Sequence, residues 1–581
     1  MSSPVQEMKD GNDGSGCKEP VDSSARKHQI HRDATLHQRY TAQSGFSCQS
    51  PMGDVKESTR NFDYVNETTD AFARAASDSE IENYSCYITQ PGRVQDHGVS
   101  FLVDEGSGGR VIACSANTDL FFGRHPSLIL GRAIKTLFRE SDKLTRILKM
   151  TDLSFVNPVI LSPAIESSAP ATRQPGRLNV ILQRTEDGLL IDVEECGDEA
   201  VEGAWQSHRR LQKTIDKLQQ ARTMDGMFKC VVDDVHACTG YDRVLIYKFH
   251  PDFHGEVVAE CKGPSLRESW LGLHYPATDI PQRSRDLFKA NCVRLIYDAN
   301  SKPSELVSES PARAPESISL ASSTLRAVHP CHLEYLQNMG VKASLVLSVV
   351  IRGSLWGLIV CHHYATPRFV PFQTRTACEF LLQAFSIRMT SVLESEQQVK
   401  QDRKNHVHAS LSENMARGKD HDSILYGIFC TDANICHLIP DTCGAAVVFA
   451  GKIMQFGEVP DDETIRKIVR WRQGQPGDQP LAITNLARQI PGFDNIGSGV
   501  AGALCAPFVD QGMLLWFRPE FTHTIRWAGD PALKVSVVPG RTMMPRNSFE
   551  AFTQSVVGQC AAWTAENLQD AEALVRLVDE G

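Results

Sequence analysis

The chain has 581 residues, 41% of them hydrophobic and 22% charged, and a formal net charge of -10. That length exceeds what one hydrophobic core serves and implies several domains, while the acidic balance argues against a general affinity for nucleic acid or anionic membranes. The longest apolar runs, such as Ala343 to Ile351, have strand length, so no transmembrane segment is expected. The N-terminus, Met1-Ser2-Ser3-Pro4, is polar and has no secretory-type apolar stretch, which predicts a reducing compartment where the 17 cysteines are mostly free thiols.

Residues 1–79 are rich in Ser, Gly, Asp, Lys and Gln and cannot bury enough apolar surface to fold independently. From 80 to 205, the strand-like runs Val99 to Val103 and Val111 to Cys114 and a helical piece at Leu128 to Leu137 predict a small α/β sensor domain. A helix carrying Leu211, Ile215 and Leu218 leads into a second domain, 206–400, and has a spare apolar face suited to dimerisation. That domain has an alternating strand at Arg243 to Phe249. It also has a hairpin of Ser344 to Ile351 and Ser354 to His362 turned by Arg352-Gly353. Ser301 to Ser323 reads as a long loop tolerant of insertion. The polar stretch Ala384 to His408, without Gly or Pro, predicts one solvated helix running into a third domain, 401–581. There, Ala445 to Ala450 and Lys452 to Phe456 read as strands about Gly451, and Ala551 to Val578 as a closing helix. The fold class is multidomain α+β, with antiparallel sheets flanked and joined by helices.

The chemistry centres on Leu325-Arg326-Ala327-Val328-His329-Pro330-Cys331-His332. Pro330 suits the first turn of a helix, which puts Cys331 near an N-terminus where unpaired N–H groups favour a nucleophilic thiolate. Arg326 lies just upstream and can pair with a carboxylate. Alone, such a cysteine is more often a small buried hydrophobe. His362 and His363 alternate across a strand and cannot form a simple two-ligand metal site. Cys430, Cys436, His437 and Cys443 match no standard zinc spacing, so no metal site is expected. No phosphate-cradling glycine loop or nucleophile-base-acid set stands out, which points to a receptor rather than an enzyme.

Five blocks together resemble the phytochromes, particularly the plant-like kind of land plants and algae. They are Tyr247-Lys248-Phe249, Leu273 to Pro281, Leu325 to Leu336, Trp356 to His363 and Pro545-Arg546-Asn547-Ser548-Phe549, in the family's order. The resemblance implies PAS, GAF and PHY domains and a linear tetrapyrrole (bilin), phycocyanobilin or phytochromobilin, joined to Cys331 by a thioether. It implies that Arg294 and Arg326 bind the propionates, that the carbonyl of Asp279 receives the pyrrole N–H groups, and that His332 lies near the central rings. Tyr247, Tyr275 and His362 would surround ring D, with Tyr335 and Ser344 completing the set.

Reversible 15Z/15E photoconversion between red- or orange-absorbing and far-red-absorbing states would follow. It would be signalled through refolding of a PHY tongue carrying Trp516, Trp527, Arg546 and Ser548, with Arg546 paired to Asp279 in the dark. The output module, histidine-kinase-like in other members, would lie outside this chain, and bilin attachment would be autocatalytic. The missing leader and spanning signals predict a cytoplasmic location, and a homodimer is expected; land-plant members of the family also move to the nucleus in light. Val94-Gln95-Asp96-His97-Gly98 departs from the family, which has proline where Asp96 stands, in a region that forms a figure-of-eight knot. Cys86 lies roughly where bacterial relatives attach their pigment, but the complete Cys331-His332 motif favours Cys331. The rival from another class is a GAF-based sensor of a small ligand such as a cyclic nucleotide, with no chromophore and a merely structural Cys331.

Overall fold

The computed structural model describes residues 88–164, 176–196, 201–310, 314–416, 435–493, 499–509, 511–521, 523–528, 551–556 and 558–580. The N-terminal arm, Cys86, Cys430, Arg546 and Ser548 lie outside them. The described residues up to Ser386 belong to one compact unit and those from Ile387 onward to a second.

The first unit contains two sheets. One is built from β1 (Arg93–Val94), β2 (Gly98–Asp104), β3 (Arg110–Ser115), β4 (Val159–Leu161), β5 (Leu178–Thr185) and β6 (Gly188–Glu195). Val99, Phe101 and Val103 of β2, Val180 and Leu182 of β5, and Ile191 of β6 pack with Leu144 and Ile147 of helix α1 (Ser141–Leu148) in one core. Where the sequence predicts a helix at 128–137, the chain instead forms two 3₁₀ turns, Pro126–Leu128 and Ile134–Leu137. Gly131, at φ 79°, separates them, since a left-handed residue cannot continue a helix.

Helices α2 (Val201–Gln220) and α3 (Met224–Thr239) lead to the second sheet. Its strands are β7 (Arg243–Phe249), β8 (Gly255–Lys262), β9 (Leu273–Tyr275), β10 (Val293–Ile296), β12 (Ala343–Ile351) and β13 (Ser354–His363). They run in the order β10-β12-β13-β7-β8-β9. The expected β12–β13 hairpin forms with Arg352 at φ 48° and Gly353 at φ 73°, the left-handed pair that matches strand twist in a two-residue turn.

The intervening strand, β11 (Ser304–Ser308), corrects the reading of 301–323 as a free loop, for it enters the first sheet between β1 and β3. Residues 89–97 are thereby gripped from both sides. Leu320 N–H donates to the Thr89 carbonyl at 2.8 Å and Leu306 N–H to that of Gly92 at 2.9 Å. Ala327 N–H donates to the Arg93 carbonyl at 3.1 Å, and Gln95 N–H to that of Leu325 at 2.7 Å. Asp96, in place of the family's proline, adds its own tie by accepting hydrogen bonds from Ser301 Oγ and, at 2.9 Å, from Tyr297 Oη. These bonds tie residues 89–97 to the segment 297–327, and the chain that would thread the expected knot lies outside the described residues.

Helix α6 (Phe372–Ala416), 45 residues long, continues across the boundary into the second unit. There β14 (Gly444–Phe449), β15 (Lys452–Gly457), β16 (Leu481–Ile483), β17 (Val500–Phe508) and β18 (Gly512–Pro519) form a sheet in the order β15-β14-β18-β17-β16. Its central strands are buried on both faces. Val447, Leu514 and Trp516 meet Leu574 and Val578 of α8 (Ala565–Glu580), while Ala446, Leu515 and Phe517 meet Ile465 and Ile468 of α7 (Asp462–Gln473). The closing helix begins later than predicted, because Ala551–Val556 is a strand, β20, paired with β19 (His523–Ala528).

Candidate functional site

The predicted residues converge in the first unit, where β7, β9, β10, β12, β13 and helix α5 (Pro330–Asn338) contribute side chains. Pro330 is the first residue of α5 and Cys331 the second, the position expected for thiolate stabilisation; the Cys331 side chain lies outside the described ones. One residue on, His332 stacks near-parallel on Tyr335, with ring centroids 6.0 Å apart. Burial, and then the Arg294 charge, lower the His332 pKa to about 4. By surface area the same side chain is exposed. The ring therefore stands at an accessible surface with dense protein around it.

Arg294 and Arg326 come together, as predicted. Arg294 Nη2 donates to the carbonyl of Arg326 at 2.5 Å and to that of Ala327 at 3.3 Å, while its Nη1 is buried with no hydrogen-bond partner. Burial, reinforced by the Arg326 charge, pushes the Arg294 pKa well down, and burial takes Arg326 to about 10. Neither guanidinium makes an ion pair among the described residues. Arg326 is held in place by the preceding residues. Asp192 on β6 accepts from Ser323 Oγ at 2.9 Å, from Thr324 N–H at 2.7 Å and from Ser100 Oγ at 2.6 Å.

Asp279 closes a 3₁₀ turn, Ala277–Asp279, and its Oδ2 accepts from Tyr335 Oη at 3.0 Å. Arg285 braces that turn from helix α4 (Gln282–Ala290), donating to the carbonyls of Ile280 and Ala277, each at 2.8 Å. His362 is 5% exposed and faces Ser344 across the β12–β13 pair. Its Nδ1 has no hydrogen-bond partner, and burial, then Arg243, then His332 lower its pKa to about 3. Tyr247 and Tyr275 pack with ring centroids 5.7 Å apart, both nearly buried.

Two residues were missed in the sequence. Trp270 packs edge-on against His362 at 5.8 Å, and the Arg243 guanidinium lies 3.9 Å above the same indole. Arg243 also pairs with Glu260 at 2.9 Å, both side chains 4% exposed. Trp516 belongs elsewhere: it is fully buried in the third sheet, its Nε1 donating to the Ile435 carbonyl at 2.8 Å, and so is a core residue. The Trp527 side chain is outside the described ones. Cys361 is fully buried with its pKa raised well above the ordinary value by burial, and burial raises Cys261 to about 11 and Cys292 as well. All three thiols therefore favour the unreactive protonated form.

A site that gathers two half-buried guanidiniums without a direct ion pair among the described residues, two neutral histidines and three tyrosines suits an elongated, largely apolar anion bearing carboxylates and N–H groups. That defines a pigment- or ligand-binding sensory domain within a three-domain chain. The family described as "PAS fold" matches residues 83–196, "GAF domain" 223–393 and "Phytochrome region" 404–580. Phytochrome C of Arabidopsis thaliana is 34% identical over 551 residues, covering 88% of this chain and 48% of that protein. Phytochrome B of the same plant is 34% identical over 547 residues, covering 88% and 45%. The Stigmatella aurantiaca phytochrome photosensory core module superposes with a TM-score of 0.70 at 29% identity, over 85% of this chain and 96% of that one. A bacteriophytochrome from R. palustris gives 0.69 at 28% identity, over 85% and 98%. The chain belongs to the phytochrome family, as a PAS–GAF–PHY photosensory module. It spans about half the length of the curated relatives it matches. These likenesses do not favour the small-ligand reading. Among the described residues no helix is long and apolar enough to cross a membrane.

Proposed function

We propose that this chain is a light sensor that holds a phycocyanobilin or phytochromobilin through a thioether to Cys331. The observation that carries the reading is the pairing of Arg294 and Arg326, two guanidiniums brought together in the recess with a buried donor left over. Like charges desolvated side by side are costly unless a bound anion compensates them, and a tetrapyrrole brings two propionates. When bound, the bilin supplies visible absorption and a double bond that light can isomerise.

The residues then divide the work. Cys331, favoured by its place at the start of α5, would form the thioether by adding its sulfur to one carbon of the ring A double bond while the other carbon takes up a proton. Arg294 and Arg326 clamp the propionates, His332 lies along the central rings, and the Asp279 carbonyl accepts the pyrrole N–H groups. Tyr247, Tyr275 and Ser344 shape the far end, and the spare Nδ1 of His362 meets ring D. The Asp279 carboxylate, now bonded to Tyr335, exchanges partners with Arg546 in the dark state, with Ser548 and Trp527 in the same tongue. Loss of that bond in light biases the tongue between two conformations and passes the signal along α6 to an output module. In the whole protein that module is histidine-kinase-like and works in a homodimer.

The reading is tested by assembling the chain with phycocyanobilin and denaturing it. Pigment should remain on the unmodified chain and be lost from Cys331→Ala; pigment retained by that variant would remove Cys331 as the anchor.

A further inference from the structure

Outside the recess, three histidines meet at the β7–β8 turn and the strand beside it. His250 and His254 bracket a tight turn closed by His250 N–H to the His254 carbonyl at 2.9 Å and Phe253 N–H to the His250 carbonyl at 2.8 Å. His274 lies on β9, directly opposite Glu256 of β8. One ring nitrogen of each histidine lies within 4.8 Å of the others. His254 Nε2 and His274 Nδ1 are 3.1 Å apart, close to the roughly 3.3 Å between neighbouring ligands of a tetrahedral ion with bonds of about 2.0 Å, whereas the His250 ring, stacked on that of His254 at 4.2 Å between centroids, must turn for its nitrogen to join them.

Behind the rings stand two carboxylates. Asp252 Oδ1 lies 2.5 Å from His254 Nδ1, and Glu256 Oε2 lies 2.9 Å from His250 Nε2. Such carboxylate–imidazole pairs fix ring orientation and raise the basicity of the remaining nitrogen, as around metal-bound histidines. The three rings are half-buried, accessible to an ion from solvent yet partly withdrawn from it.

We propose that His250, His254 and His274 form a binding site for a divalent transition metal of the zinc class, with Asp252 and Glu256 orienting two of the imidazoles and a water completing the coordination. The ion replaces the proton shared between His254 and His274. Because residues 274 and 275 alternate across β9, the ion would fix the strand that presents Tyr275 to the recess without entering the recess itself.

The test is a cobalt(II) titration of the full chain, followed by zinc displacement. The expected result is one tight equivalent, with d–d bands of nitrogen–oxygen coordination and no thiolate charge-transfer band. His254→Ala and His274→Gln should each weaken binding by about 100-fold or more. Absence of uptake, a thiolate band, or unchanged affinity in both variants would overturn the site. Should the variants fail to fold, pulsed electron paramagnetic resonance of the copper(II)-loaded unmodified chain decides. Two or three coordinated imidazoles support the proposal, and one or none removes it.

Discussion

Gly255 illustrates how one missing side chain shapes the recess. Its backbone lies under the Tyr247 ring, so that a Cβ added there would stand 1.8 Å from Tyr247 Cζ and 2.1 Å from its hydroxyl. Ordinary contact begins near 3.4 Å, and Tyr247 is enclosed by Phe249 at 5.3 Å and Tyr275 at 5.7 Å between ring centroids. Gly255→Ala therefore requires the ring to swing out of its place or the β7–β8 pair to part. Overpacking of this kind costs about 1–3 kcal/mol. Urea unfolding of the pigment-free chain should show a loss of that order, and the pigment-loaded chain should show a displaced or broadened visible band. The cost should largely vanish when Tyr247→Ala is already present, because the two changes share one clash. An equal loss in both backgrounds would show that Gly255 serves the backbone and not the tyrosine.

Two further outcomes follow from the ties that hold residues 89–97. Asp96→Ala removes the acceptor of the Tyr297 and Ser301 hydroxyls and should destabilise the first unit by about 1–3 kcal/mol in the same assay; a change under about 0.5 kcal/mol would mean Asp96 does not tie the segment. His97 is buried between Tyr297 and Phe369, ring centroids 4.8 and 5.6 Å away, and burial, then Arg375, then Arg294 lower its pKa from 6.5 to about 3. The fold favours the neutral ring, so its contribution is complete above pH 6.5 and is lost progressively as pH falls from there towards 3. That amounts to about 1.4 kcal/mol by about pH 5.5. Unfolding free energies at about pH 8 and about pH 5.5 should differ less by that amount in His97→Phe, and an unchanged difference would contradict the assignment.

Much of the recess was legible because its chemistry is local. Pro330 ahead of Cys331-His332 marks a helix start, Asp279 ahead of Ile280-Pro281 marks a turn, and Arg352-Gly353 marks a two-residue hairpin; each appears where its residues demand. What was not legible depends on partners far away in sequence. Strand β11 pairs with β1 and β3, about two hundred residues upstream, so a Ser- and Pro-rich stretch with few apolar positions gave no sign of joining a sheet. Trp270 follows the polar run Arg267-Glu268-Ser269 at the edge of a short apolar piece, and only the tertiary fold brings it against His362 and Arg243. Trp516 could have been read correctly, because Met513-Leu514-Leu515-Trp516-Phe517 is a continuous apolar run, the mark of a strand buried on both faces. In Ala551–Val556 the aromatic and β-branched residues Phe552, Thr553 and Val556, followed by Gly558, suit a short strand as well as a helix, so only the pairing with β19 decides it.

The most direct measurement is the absorption spectrum of the chain assembled with phycocyanobilin, before and after red light and again after far-red light. A visible band should shift on the first illumination and return on the second. A chain that stays colourless with either bilin, or that binds pigment but gives no light-induced difference, would contradict its reading as a light sensor.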